Sequence, residues 1–175
     1  MSWDRFYRRR DAINTVLAAA KRNPEAGLPF EELPEVTEVF DSREELALAL
    51  QYKWSQLLSG RINLALSDAE QGAEVDHVEA VSAAWRATAI GHPALRRVLD
   101  DYAIEGGPKF QAGLRGEQCM LALAAGLANS AESTQEINRI GEAFLRLIRS
   151  TPEQAVPRRR SPVEQLLRKL AATSS

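Results

Sequence analysis

The sequence predicts an all-α protein: a single-domain bundle of five to six helices plus a short C-terminal amphipathic helix. Three observations carry that reading. Alanine (27) and leucine (21) dominate the 175 residues, and both are strong helix formers. Apolar residues recur every three or four positions, and runs of strict alternation are short or absent, which is the period of helices and not of strands. Prolines and glycines cluster between those periodic stretches, where they end one helix and begin the next.

The first helix is predicted from about Trp3 to Arg22. Trp3, Phe6, Ile13, Leu17 and Ala20 line one face, and Arg10 interrupts that seam, so its charge must snorkel or find a carboxylate. Pro24, Pro29 and Pro34 forbid a long helix over 23–41. That stretch is acidic, and Phe30, Leu33, Val36, Val39 and Phe40 should pin it to the core. It reads as an ordered connector with one short helical turn. The second helix starts near Ser42, with Asp41 or Ser42 as cap and Glu44 and Glu45 at its positive end. It runs to about Glu70; Leu46, Leu50, Trp54, Leu57, Arg61 and Leu64 mark its face, and Leu58, Ile62 and Ala65 widen it. A helix of that length with so broad an apolar face should be central.

The third helix carries Val75, Val78, Val81, Trp85 and Ala89 and ends at Gly91. Pro93 opens the fourth as a first-turn proline, with His92 as its cap. Gly106-Gly107-Pro108 breaks the chain before the fifth, which holds Phe110, Leu114, Met120, Leu121, Ala124 and Leu127. The apolar run 119–128 suits a buried core helix and is too short to cross a bilayer. Ser133 and Glu136 form a capping-box pair at the start of the sixth, faced by Ile137, Ile140, Phe144, Leu147 and Ile148. Thr151-Pro152 stops it. Hence 1–150 reads as the helical bundle, 151–161 as a basic Pro/Arg linker, and 162–175 as the terminal amphipathic helix and its frayed end.

Composition narrows the function classes. Hydrophobic residues make up 45% and charged residues 26%, which excludes wholesale disorder and collagen-like repeats. The single Cys119 cannot form an internal disulfide, so there is no secreted disulfide scaffold. The N-terminal segment lacks the apolar core of a secretion signal, and no stretch is long and apolar enough for membrane insertion. Arginine outnumbers lysine 18 to 4, and arginine and alanine codons are GC-rich. These features predict a protein of the bacterial cytoplasm, from a GC-rich genome. The net charge of −2 is unevenly placed: +4 over 1–22, −11 over 23–145 and +5 over 146–175. The ends can meet an anionic partner that the body repels.

Four constellations are candidates for function. Arg158, Arg159 and Arg160 precede a short helix whose Val163, Leu166, Leu167 and Leu170 make an apolar stripe. A basic tether with such a helix is a common way to engage a partner groove, although the helix can equally pack on its own bundle. Ser161 between them reads as a cap, and less readily as a phosphorylation switch. Arg8, Arg9 and Arg10 beside Trp3, Phe6 and Tyr7 suit phosphate contact and base stacking, or simply a solvated helix face. Together with Arg158, Arg159 and Arg160 they form the nucleic-acid alternative. Trp54, Arg61 and Trp85 suggest a small-molecule pocket in the helical core, with Arg61 receiving a ligand carboxylate.

Other chemistry finds little footing. Glu74 and His77 have the Glu-x-x-His spacing, but the second pair that a di-iron bundle needs is absent, so no metal site is expected. Cys119 has no histidine at helical spacing, and Asp100 and Asp101 point to different helix faces. Gly106-Gly107-Pro108-Lys109 lacks a preceding strand. The turn near 126–131 leads into Glu132 and Glu136, which would face DNA phosphates unfavourably. No catalytic residue and no cofactor is assigned. The sequence therefore points to a non-catalytic helical interaction or regulatory protein. It would bind a protein partner, or self-associate, through its first and last helices.

Overall fold

A computed structural model describes residues 3–70 and 76–151 of the chain. Seven α-helices and one 3-10 turn follow in order: α1 (Trp3–Arg22), the turn Pro24–Ala26, α2 (Pro34–Thr37), α3 (Arg43–Glu70), α4 (His77–Gly91), α5 (Pro93–Tyr102), α6 (Pro108–Ala124) and α7 (Thr134–Ser150). The described residues hold no strand. Six of the helices are those the periodicity marks, and α2 is the single helical turn expected inside the acidic connector. The C-terminal segments 152–161 and 162–175 lie outside the described residues.

The bundle is organised around two helical hairpins. α3 packs along α4, α6 packs along α7, and α3 also touches α5, α6 and α1. α3 is the central element, as its length implies. Leu46, Leu50, Trp54, Leu58 and Ile62 recur at four residues, and none is more than 2% exposed. Of the predicted face beyond Trp54, Leu58 and Ile62 are buried, Leu57 and Ala65 are half-buried, and Arg61 and Leu64 turn to solvent. A step of four residues turns 400° on a 3.6-residue helix. A long stripe therefore curls around the helix, so its buried line runs through Leu58 and Ile62 and leaves Arg61 and Leu64 outside.

The helix ends are fixed by the chemistry the sequence supplies. The Ser42 hydroxyl accepts from the Glu45 N–H at 3.1 Å, and the Glu45 carboxylate accepts from the Asp41 N–H at 2.8 Å. Asp76 caps α4 through the Glu79 N–H and Ser133 caps α7 through the Glu136 N–H. The predicted capping box at Ser133 is half formed, because Glu136 turns to Arg139 instead. His92 stands at the start of α5, but its side chain makes no capping bond. Gly126 ends α6 at φ 67°, and the Leu127 N–H then reaches the Ala122 carbonyl at 2.9 Å. A left-handed residue that closes a helix in this way is usually glycine.

Two predicted faces are corrected. On α1 the buried residues are Ala12, Val16 and Ala20, whereas Trp3 and Phe6 are 76% and 56% exposed. The core lies under the last two-thirds of α1, and residues 3–8 all stay in solvent. Arg97 of α5 clamps the far end by donating to the Ala20 carbonyl at 2.5 Å, a group the helix cannot satisfy itself. The apolar run 119–128 is not uniformly buried. Leu121, Ala122 and Ala125 enter the core, while Leu123 and Leu127 are about two-fifths exposed. Only one side of α6 is covered, because its neighbours α3 and α7 lie on that side.

α6 and α7 approach closely at Gly141, where a Cβ would run into the Gln118 backbone of α6. Gly141→Ala should therefore lower stability by at least about 1–3 kcal/mol through overpacking. Gly116→Ala, with nothing within 4 Å of the added carbon, should raise stability by up to about 1 kcal/mol through helix propensity. Urea unfolding of both variants checks the contrast.

Candidate functional site: a buried arginine network and two open surfaces

Trp54 of α3 and Trp85 of α4 do meet, edge to face, with ring centroids 6.0 Å apart. They form the centre of the core and not the wall of a pocket, being 0% and 6% exposed. Arg61, the third residue of the predicted pocket, is exposed and lines an open surface groove that neither tryptophan lines. The three are not brought together. The arginine that does meet the tryptophans is Arg96 of α5, whose guanidinium carbon lies 4.8 Å from the Trp54 ring centre.

Arg96 anchors a chain of alternating charges. Its side chain is 7% exposed and faces Glu117 of α6, 4% exposed, at 3.5 Å. The Trp85 indole N–H donates to the other Glu117 oxygen at 2.9 Å. On its outer side Arg96 donates to Asp100 at 2.8 Å, and Arg149 of α7 donates to the same Asp100 oxygen at 2.9 Å. The Arg149 guanidinium carbon also lies 5.5 Å from the Trp85 ring centre. Two cations, two carboxylates and two indoles from five helices thus close on one another. Beside them Gln51 is 7% exposed and donates to the Phe110 carbonyl at 3.1 Å. Each charge in the group has an opposite charge beside it, so burial does not leave one uncompensated.

The charged groups of this network are spent on one another, which marks it as structural, while the buried Arg96 Nε and Trp54 Nε1 have no hydrogen-bond partner among the described residues. Glu117 was legible as an anomaly: it continues the stripe Phe110–Leu114–Leu121 of α6, where a carboxylate must be paired. Arg96 left a weaker trace, as one of two adjacent arginines on a helix whose other inward residues are Leu95, Val98, Leu99 and Tyr102.

The open surfaces lie elsewhere. At the start of α1, Trp3, Phe6 and Tyr7 are 76%, 56% and 44% exposed. Tyr7 lies 6.4 Å from Trp3 and 5.7 Å from Phe6, ring centre to ring centre, so the three make one apolar patch. The arginines around it are partly engaged. Arg9 bonds Glu45 at 2.6 Å and covers the Phe40 ring at 4.4 Å. Arg10 pairs with Asp11 at 3.1 Å and lies 5.0 Å from the Tyr7 ring centre. Arg8 shares a surface recess with Asp4, Glu38 and Asp41. The second surface is a groove of about 630 Å³ between α3 and α4. Leu57 and Leu64 face Ala80, Ala83 and Ala87 across it, and Arg61 and Asp68 also line it.

The remaining candidates are placed as follows. Arg158, Arg159, Arg160, Ser161, Val163, Leu166, Leu167 and Leu170 lie outside the described residues, as does Glu74. No group of three or more His, Cys, Asp or Glu side chains is placed to hold a metal among the described residues. No described helix is long and apolar enough to cross a membrane. Cys119 is half-buried and free. No protein-family model, curated protein or solved structure matches the chain.

Two outcomes follow from this geometry. Glu117→Ala strands Arg96 on its inner side and should cost about 3–5 kcal/mol. Arg96→Met combined with Glu117→Leu should cost less than Glu117→Ala alone, since no buried charge is then left over; urea unfolding of the three chains measures this. The second concerns acid. The Arg9 guanidinium first, and the Asp41 N–H next, hold the Glu45 carboxyl below its ordinary value of 4.5. A lowered carboxylate contributes stability above that value and loses it as pH falls through the folded value. Arg9→Ala should therefore flatten the loss of stability on acidification below about pH 4.5. The difference should stay under about 1 kcal/mol, since both side chains remain about one-third exposed. Thermal melts across pH 3–7 read it.

Proposed function

We propose that this chain is a non-catalytic helical interaction protein of the bacterial cytoplasm, and that it contacts a protein partner through the aromatic end of α1. The observation that carries this reading is the patch of Trp3, Phe6 and Tyr7, held on a helix end that the core does not cover. Large aromatics are the side chains that most often dominate protein contacts, and holding three of them in water is unfavourable without a partner. The exposed Arg5, Arg8 and Arg10 around the patch suit a partner surface with an apolar recess and carboxylates at its rim. A second copy of the chain is the other form of the same reading.

The nucleic-acid alternative draws less support from these residues. Arg9 and Arg10 are bonded to Glu45 and Asp11, and Arg8 sits among carboxylates. A phosphate backbone arriving there would meet much of the acidic connector as well. The small-molecule alternative loses its arginine, since Arg61 lies apart from Trp54 and Trp85.

The test is affinity capture from the native type of cell, with the full chain, a Trp3→Ala/Phe6→Ala chain and an Arg139→Ala control. The expected result is a stoichiometric protein, retained after nuclease, that the control keeps and the double variant loses, with circular dichroism unchanged. Equal capture by all three chains overturns the α1 contact. Capture that vanishes with nuclease, together with salt-sensitive binding of a labelled oligonucleotide, replaces it with the nucleic-acid reading. Sedimentation velocity of the same chains separates a foreign partner from a second copy.

A further inference from the structure

We propose that the groove between α3 and α4 is the docking site of the chain's own segment 162–172, taken up within the same molecule. The inference is independent of the aromatic end of α1.

The groove has the chemistry of a helix seat. Its floor on α4 is built from Ala80, Ala83 and Ala87, and Leu57 and Leu64 wall it on α3. Small side chains on one helix let another approach closely. Leu64 is 63% exposed while the groove stands open. On the segment, Val163, Leu166, Leu167 and Leu170 recur at the first, fourth, fifth and eighth positions, the repeat of a single apolar stripe. Both stripes span eight residues, or seven steps along the helix, Ala80–Ala87 on the floor and Val163–Leu170 on the segment. At about 1.5 Å per residue each is roughly 10 Å long.

The charges match as well. The groove's charged lining residues are Arg61 and Asp68, and neither forms an ion pair among the described residues. The segment carries Glu164 near its start and Arg168 and Lys169 near its end. Laid parallel to α3, Glu164 meets Arg61 while Arg168 and Lys169 approach Asp68.

The chain leaves the described structure beside α4, one of the two helices that form the groove. α7 ends at Ser150, and Arg149 packs against the Trp85 ring on α4 itself. Seating the segment needs residues 152–161 to span α4 from one side to the other. A helix is about 10–12 Å across, and ten residues reach about 33 Å when extended. An eleven-residue segment is too short to hold helical form alone, so a matching seat within reach of its tether is the partner it needs.

The experiment uses the full chain in a Cys119→Ser background. Ala83→Cys with Leu167→Cys should form a cross-link within one chain under mild oxidation at low micromolar concentration. Ile90→Cys with Leu167→Cys, on the same helix but outside the groove, should form at least tenfold less. Tryptic digestion of the native chain should cut after Arg158, Arg159 and Arg160 at least tenfold faster than after Arg168 or Lys169. Leu64→Glu, a change at an exposed position, should abolish that difference with circular dichroism unchanged. Cross-links found only between chains assign the seat to a second copy and overturn the proposal. Equal yields from the two cysteine pairs, or equal cutting at the two tryptic sites in the native chain, overturn it also.

Discussion

The Arg96 guanidinium is the point on which the packing of the bundle turns. An arginine admitted to a core must keep its charge, because it does not deprotonate in proteins, so the fold has to bring counter-charges to it. Glu117 arrives from α6 and Asp100 from one turn further along α5, and the Trp54 ring covers it. Asp100 then holds Arg149 of α7, and Glu117 holds the indole of Trp85 on α4. Neither hairpin can shift without exposing or stranding one of these charges. An all-apolar centre of equal volume would be no less stable. It would not fix which side of α5 faces the two hairpins, and five helices meeting at one point need that orientation.

What the sequence made legible follows from this division of labour. Helix boundaries depend on local chemistry, and Ser42, Asp76, Pro93, Pro108 and Ser133 stand where the helices begin. Faces depend on what a helix packs against, which is not local. Trp3 and Phe6 fit the apolar period of α1, yet the core stops short of them. Arg61 fits the period of α3, yet the stripe has curled past it by then. The polar core needs residues far apart in sequence to be paired, and Glu117 can be seen as misplaced without revealing that Arg96 is its answer. The open surfaces could be suspected only where aromatics gather, as at Trp3, Phe6 and Tyr7. The groove was invisible because alanines on α4 carry no pattern of their own.

The charge distribution gains a different sense once the elements are placed. The excess of positive charge over 1–22 is set against carboxylates that the following connector and α3 bring to it, Glu45 on Arg9 and Glu38 and Asp41 beside Arg8. A count along the chain therefore overstates what an approaching molecule meets. The aromatic patch of α1 is left as the distinctive feature of that end, with exposed Arg5, Arg8 and Arg10 around it. The acidic connector acts less as a repelling surface than as the local counter-ion of the first helix.

The placement of the three tryptophans has an optical consequence. Trp54 and Trp85 sit together in the core, each with a guanidinium group over its ring, while Trp3 stands in water at the far tip of α1. Iodide in solution reaches the third indole and not the other two. The unaltered chain therefore carries two built-in reporters that emit from different surroundings. One follows the integrity of the interior, and the other follows events at the tip.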